Sequence, residues 1–114
     1  MSAELVVVAP LLLLLLLSAV QAGVWWHGVH IAESIAVHAI AAVRVDDGTP
    51  AAGQAAGERV RTQLAGQLLR NVRIDITRNA ESARVEITAT AMQVVPGLDL
   101  PIQVAATGAT EPNR

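Results

Sequence analysis

From Leu5 through Trp26 the chain carries no charge over 22 residues. At about 1.5 Å per residue, a helix of that length reaches about 33 Å, enough to cross a hydrocarbon core of about 30 Å. Leucine fills every position from 11 to 17, so no helical face is polar. Such a helix must be surrounded by lipid or by other apolar helices. Past the tryptophans, Ile31, Ile35, His38 and Ala42 fall on one stripe at helical spacing. With no Gly or Pro between Val29 and Val45, the pattern predicts one long helix running out from the membrane. It is expected to end at Asp46-Asp47-Gly48, with Gly48 as a left-handed cap. Thr49 then reads as an N-cap with Pro50 at the first helical position.

A second helix is predicted over about 50–70, with Ala52, Ala56, Val60, Leu64 and Leu68 on one face. Gly53, Gly57 and Gly66 each weaken it by roughly 1 kcal/mol relative to Ala. Gly53 and Gly57 form a GxxxG spacing, which means little outside an apolar 20-residue span.

From Val72 the period changes to two. Val72, Ile74 and Ile76 alternate with polar residues, as do Ala83, Val85, Ile87, Ala89 and Ala91, predicting two antiparallel strands joined by a turn over residues 79–82. Pro96-Gly97 reads as a tight turn. Leu98, Leu100, Ile102 and Val104 suggest a third strand, demoted to an edge by Pro101. The fold class is therefore α+β: a long N-terminal membrane helix extending outward, a second short helix and a small antiparallel sheet of about three strands. The expected divisions are 1–26 (transmembrane and assembly helix), 27–48 (helical extension), 49–106 (small α+β extracytoplasmic domain) and 107–114 (flexible tail).

Composition narrows this picture. The chain has 114 residues, 53% of them hydrophobic, yet Trp25 and Trp26 are its only aromatics. Its core must come from Ala, Val, Ile and Leu, a thin core that gains from packing against a neighbour. There is no Cys, which excludes disulfides, thiolate metal sites and cysteine nucleophiles. All eight cations are Arg, scattered singly from Arg44 onward, and the net charge is −2, so direct nucleic-acid binding has little support. The same scarcity of cations leaves topology unset by the positive-inside bias.

Three readings compete for the N-terminus. A signal peptide lacks its basic n-region, although Val20-Gln21-Ala22 before Gly23 passes as a cleavage site. An uncleaved anchor for an accessory subunit of an envelope complex fits the length, with Trp25 and Trp26 in the headgroup region. A pilin-like assembly helix is cleaved before the apolar run and keeps it. Pro10 removes a backbone donor and crowds the carbonyl of Val6, so a kink or local break is expected there. Glu4 is an acid at the membrane edge and a functional candidate for that reason.

The run Ser2-Ala3-Glu4-Leu5-Val6-Val7-Val8-Ala9-Pro10 into the leucines, followed by Gln21-Ala22-Gly23, resembles the start of TadE-like proteins, pseudopilins of the tight-adherence (Tad) pilus machinery. The stretch Val94-Val95-Pro96-Gly97-Leu98-Asp99-Leu100-Pro101 is similar to a C-terminal segment of actinobacterial members. The resemblance implies a small single-pass protein of the cytoplasmic membrane, with its C-terminal domain extracytoplasmic. In that family a prepilin peptidase cuts after a Gly, and an acid lies about five residues into the mature chain. Glu4 matches that acid, while the matching Gly and a basic leader would fall before Met1. Implied partners are other pseudopilins, the major pilin, a membrane platform protein and, indirectly, an assembly ATPase. No cofactor is implied. A carboxylate at Glu4 can pair with the N-terminal amine of a neighbouring helix, which offsets desolvation and fixes axial register.

Candidate chemistry elsewhere is sparse. His27, His30 and Glu33 are spaced three apart and can face one way on a helix, a spacing compatible with a metal. The plainer reading is interfacial polar residues just past the tryptophans. Ser34, near His30 and His38 on one straight helix, lacks an oxyanion hole and a pocket. No nucleophile elbow, phosphate loop or HExxH occurs, so a non-enzyme is expected.

Overall fold

The computed structural model describes residues 3–45 and 48–110. Helix α1 runs from Ala3 to Arg44, 42 residues without interruption. Helix α2 spans Pro50–Leu64, and three strands follow: β1 (Leu69–Arg78), β2 (Ser82–Ala91) and β3 (Pro101–Ala109). The sheet is antiparallel in the order β1-β2-β3, so β2 is central and both other strands are edges. The principal extents are 78 × 21 × 16 Å, set by α1 projecting far beyond the rest. The α+β class is thus the observed one.

The two halves of α1 meet different surroundings. Between Ala3 and Val20 every residue is exposed except the partly covered Leu17. From Gln21 onward one stripe is buried: Gly28, Ile31, Ala32, Ile35, Ala36, Ala39, Ile40 and Val43. This stripe lies on the inner face of the sheet against Val85, Ile87, Ala89 and Ile102, with α2 alongside. His38, placed on the buried stripe by spacing, is instead exposed, and its Nδ1 lies 2.8 Å from the Ser34 carbonyl oxygen. Ala36, Ala39 and Val43 take the positions between the isoleucines.

The cap expected at Asp46-Asp47-Gly48 falls partly on residues 46 and 47, outside the described ones. The Gly48 N–H donates to the Val45 carbonyl at 2.9 Å, and the rest of what closes α1 is long-range. Arg78, at the end of β1, donates from Nε to the Val43 carbonyl at 2.9 Å and from Nη2 to that of Val45 at 3.4 Å. A guanidinium suits the negative end of a helix and satisfies carbonyls left without intrahelical donors. Arg44 reaches from the same end to the Ala109 carbonyl at 2.9 Å.

Helix α2 begins as the sequence predicts. Thr49 is the N-cap, its hydroxyl accepting from the Ala52 N–H at 3.1 Å, and Pro50 follows at the first position. Its end differs from the expected 70. Gly66 adopts φ +52, a left-handed conformation that stops the helix, and Leu68 folds back so that its N–H donates to the Ala65 carbonyl. The buried face also differs: Gly53, Gly57 and Val60 are buried, whereas Ala52 and Leu64 are exposed. The GxxxG pair is the contact itself. A Cβ on Gly53 would collide with the Val43 side chain and lie 2.9 Å from Ile76 Cδ1; one on Gly57 would lie 3.0 Å from Ile74 Cδ1. Small residues at a four-residue spacing let α2 settle into the corner between α1 and β1.

Strand β1 starts three residues before Val72 because a bulge extends it. Leu69 pairs with Ala91 and Ile74 with Ile87, with the register slipping by one between Arg70 and Arg73. Asn71 absorbs the extra residue at φ 55, a conformation Asn tolerates better than most. The slip changes the parity of inward positions, so Leu69 and Ile74 both reach the core. The hairpin at residues 79–82 is held by Asn79, whose side-chain oxygen accepts from the N–H groups of Glu81 and Ser82. Gly97 has φ +80 in the turn in which the Leu98 N–H donates to the Val95 carbonyl. Strand β3 begins at Pro101, an edge position where the missing donor is tolerated. It continues to Ala109, through residues expected as frayed tail, because Ser82 pairs with Ala109 and Ala83 with Gly108. The rest of that tail, 111–114, lies outside the described residues.

Candidate functional site

The bare half of α1 is the first candidate. Leu5, Val6, Val7 and Leu11 through Leu16 are each at least half exposed. Its most apolar window has a mean hydropathy of 2.6 and is 0% buried. A soluble helix with that surface would aggregate or associate, since it exceeds any apolar patch a monomer leaves in water. The helix is compatible with a single-pass membrane anchor. Glu4 sits in its first turn, where the helix dipole favours an acid, and is exposed. Pro10 lies inside the helix, and no break interrupts it there. Ser18 donates its hydroxyl to the Leu14 carbonyl at 2.8 Å, hiding a polar group within the helix's own backbone.

Gln21 marks the change of surroundings. It is 1% exposed, the one buried polar side chain among the described residues. Its Nε2 donates to the Met92 carbonyl at 3.0 Å, and its Oε1 accepts from the N–H groups of Val94 at 2.7 Å and Val95 at 3.1 Å. One amide therefore fixes the β2–β3 loop to α1 and satisfies three backbone groups that have left the sheet ladder. Sequence reasoning used Gln21 only within a cleavage motif and the family resemblance, with no structural role. The signal that was there is an amide interrupting an apolar run, which needs partners wherever it is buried.

Four residues further on, the two tryptophans divide. Trp25 is partly buried against the core and its indole N–H donates to the Pro101 carbonyl at 3.1 Å. Trp26 is 64% exposed and meets the His30 ring edge-on, with centroids 5.3 Å apart. Trp26 is thus free for a membrane interface, while Trp25 ties the helix to β3. The domain accordingly docks onto α1 from Gln21, five residues before the end of the apolar run.

The histidines converge on little. His30 Nδ1 lies 4.0 Å from Glu33 Oε2, both more than half exposed, and His27 is exposed. No group of three or more metal-binding side chains comes together among the described residues. The outward sheet face is polar, with Arg84 and Gln103 both reaching Glu86, and with Arg70 and Asp99 paired at 2.8 Å.

Comparison with known proteins bears on the helix. Residues 1–42 match the family model described as TadE-like protein, which covers nearly all of α1. No curated protein and no solved structure matches the chain. Over its N-terminal helix the chain is similar to TadE-like proteins, and the match supports a component associated with a Tad-type pilus system.

Proposed function

We propose that this protein is a TadE-like minor pseudopilin, a structural and assembly component of a Tad-type pilus or secretion apparatus, and that it performs no catalysis. The observation that carries this reading is the division of α1: a bare stretch, Ala3–Val20, apolar but for Glu4 and Ser18, continues without a break into a half packed against an α+β unit. Such a helix holds a subunit in the cytoplasmic membrane and offers the same surface for lateral packing when the subunit joins a filament. The domain lies on the extracytoplasmic side. Glu4, at the far end of the bare stretch, sets register by pairing with the N-terminal amine of a neighbouring subunit's helix. Partners are the related pseudopilins, the major pilin, the membrane platform protein and a prepilin peptidase acting on an upstream leader.

The competing reading is a secreted domain released by cleavage after Ala22. Gln21 speaks against it, because that cut removes the amide bonded to Met92, Val94 and Val95. The decisive experiment is the mass of the mature N-terminus, from native membranes with the genomic upstream region intact. A start at or just before Met1, with a leader removed, is the expected result; a start at Gly23 overturns the proposal. Substitution Glu4→Ala is expected to impair assembly while leaving membrane insertion intact, read as filament-associated against membrane-associated protein. Normal assembly would remove the register role from Glu4.

A further inference from the structure

We infer that the β2–β3 loop, Met92–Leu100, is a second membrane contact that rests in the interfacial layer of the bilayer crossed by α1. This rests on the membrane-anchor reading above.

The directions of the elements bring the loop there. Arg44 touches the end of β3 at Ala109, whereas Trp25 touches its start at Pro101. Strand β3 therefore runs parallel to α1, and β2, its antiparallel neighbour, runs back towards the bare end. The loop leaving β2 meets α1 at Gln21, where the bare stretch stops.

Length then limits how far the loop can stand from the membrane. Glu4 and Gln21 are 17 positions apart, about 26 Å at helical rise, against a hydrocarbon core of about 30 Å. If Glu4 stays at one surface, Gln21 reaches no further than the edge of the core at the other. The loop bonded to it is drawn to the same depth.

The chemistry of the loop suits that depth. From Met92 to Leu98 it carries no charge, and it offers Val94, Val95, Pro96 and Leu98, the last 39% exposed. The following acid is already engaged: Asp99 Oδ1 accepts from Arg70 Nη2 at 2.8 Å and from Gln93 Nε2 at 3.1 Å. The backbone groups most costly to desolvate, the N–H groups of Val94 and Val95 and the Met92 carbonyl, are held by Gln21. Trp26 is exposed one turn above Gln21, so exposed apolar side chains stand on both the helix and the loop, and the charges at the loop's end, Arg70 and Asp99, are paired with each other. The occupant of this surface is lipid, because it adjoins a surface that lipid already covers.

The chain lacks cysteine, so single substitutions can place a fluorophore at will. Full-length Leu98→Cys, Leu13→Cys and Glu81→Cys would each be labelled and reconstituted into phosphatidylcholine–phosphatidylglycerol vesicles containing brominated acyl chains. Leu13 reports the bare helix, and Glu81 the far hairpin. The expected result is loss of fluorescence to bromolipid at Leu13 and Leu98 and none at Glu81, with iodide in the buffer quenching Glu81 most. Quenching at Leu13 but not at Leu98 overturns the inference while leaving the anchor standing. That outcome is also what a loop reserved for a protein partner would give. Absence of quenching at Leu13 overturns the anchor reading, and this inference with it.

Discussion

The two halves of α1 share one helix and almost nothing else. From Leu5 to Val20 the sequence is apolar but for Ser18 and the structure covers nearly none of it; from Gln21 to Arg44 polar and apolar positions separate and one stripe disappears into the core. The lower half has the length and composition of a membrane anchor and touches almost no neighbour, so any large apolar residue serves at most positions. The upper half is shaped by neighbours, so Ile35 and Val43, both 0% exposed, meet particular side chains. Composition therefore decides the first half and geometry the second.

Five substitutions would break or sharpen that contrast. The largest effect is expected in the packed part. Ile87→Ala, at a fully buried position of the central strand, should cost about 2–5 kcal/mol in urea unfolding of the detergent-solubilised domain while leaving membrane insertion unchanged. Leu13→Arg should do the reverse: about 2.5–3.5 kcal/mol against insertion, measured as the membrane-integrated fraction on translation, with no loss of domain stability. If Leu13→Arg also weakens the domain, the halves are not independent.

Gln21→Ala tests the border between them. Three backbone groups lose their partner, and a cost of about 1–3 kcal/mol is expected. Amide hydrogen exchange should accelerate at Val94 and Val95 before it does in β2. The smallest effect compares the two glycines of α2. Gly53→Ala meets Val43, Ile76 and the Ala39 carbonyl, and should lower stability by about 1–3 kcal/mol. Gly57→Ala meets isoleucine methyls, Ile74 Cδ1 at 3.0 Å and Ile35 Cγ2 at 3.3 Å. There a gain of about 1 kcal/mol in helix propensity should nearly cancel the crowding. Equal costs at both sites would mean that α2 does not approach α1 as closely at Gly53 as the geometry requires.

Much of the architecture was legible because it follows from local rules. The apolar run, the Thr49-Pro50 start, the alternation in β1 and β2 and the Pro96-Gly97 turn each depend on residues within a few positions of one another. What escaped the sequence depends on residues far apart. The cap of α1 comes from Arg78, 35 positions beyond Val43. The extension of β3 to Ala109 comes from pairing with Ser82. The bulge at Asn71 shows only once β1 has β2 to pair with. Of the candidate site, Glu4, Pro10 and the tryptophans were visible by position, but the division of labour between Trp25 and Trp26 and the clamp at Gln21 were not.

The sequence by itself determined that the chain has a membrane-length apolar helix with an acid at its edge, followed by a small α+β unit built from aliphatic residues. Periodicity and transfer free energy act residue by residue, and need no knowledge of what lies opposite. Only the tertiary structure decided where along that helix the membrane half ends. The boundary is set by the amide of Gln21 finding partners 71 and 73 positions away, while the glycines at 53 and 57 admit a second helix against the far part of α1. Hydrogen bonds and close packing are properties of pairs, and the pairs exist only once the chain has folded.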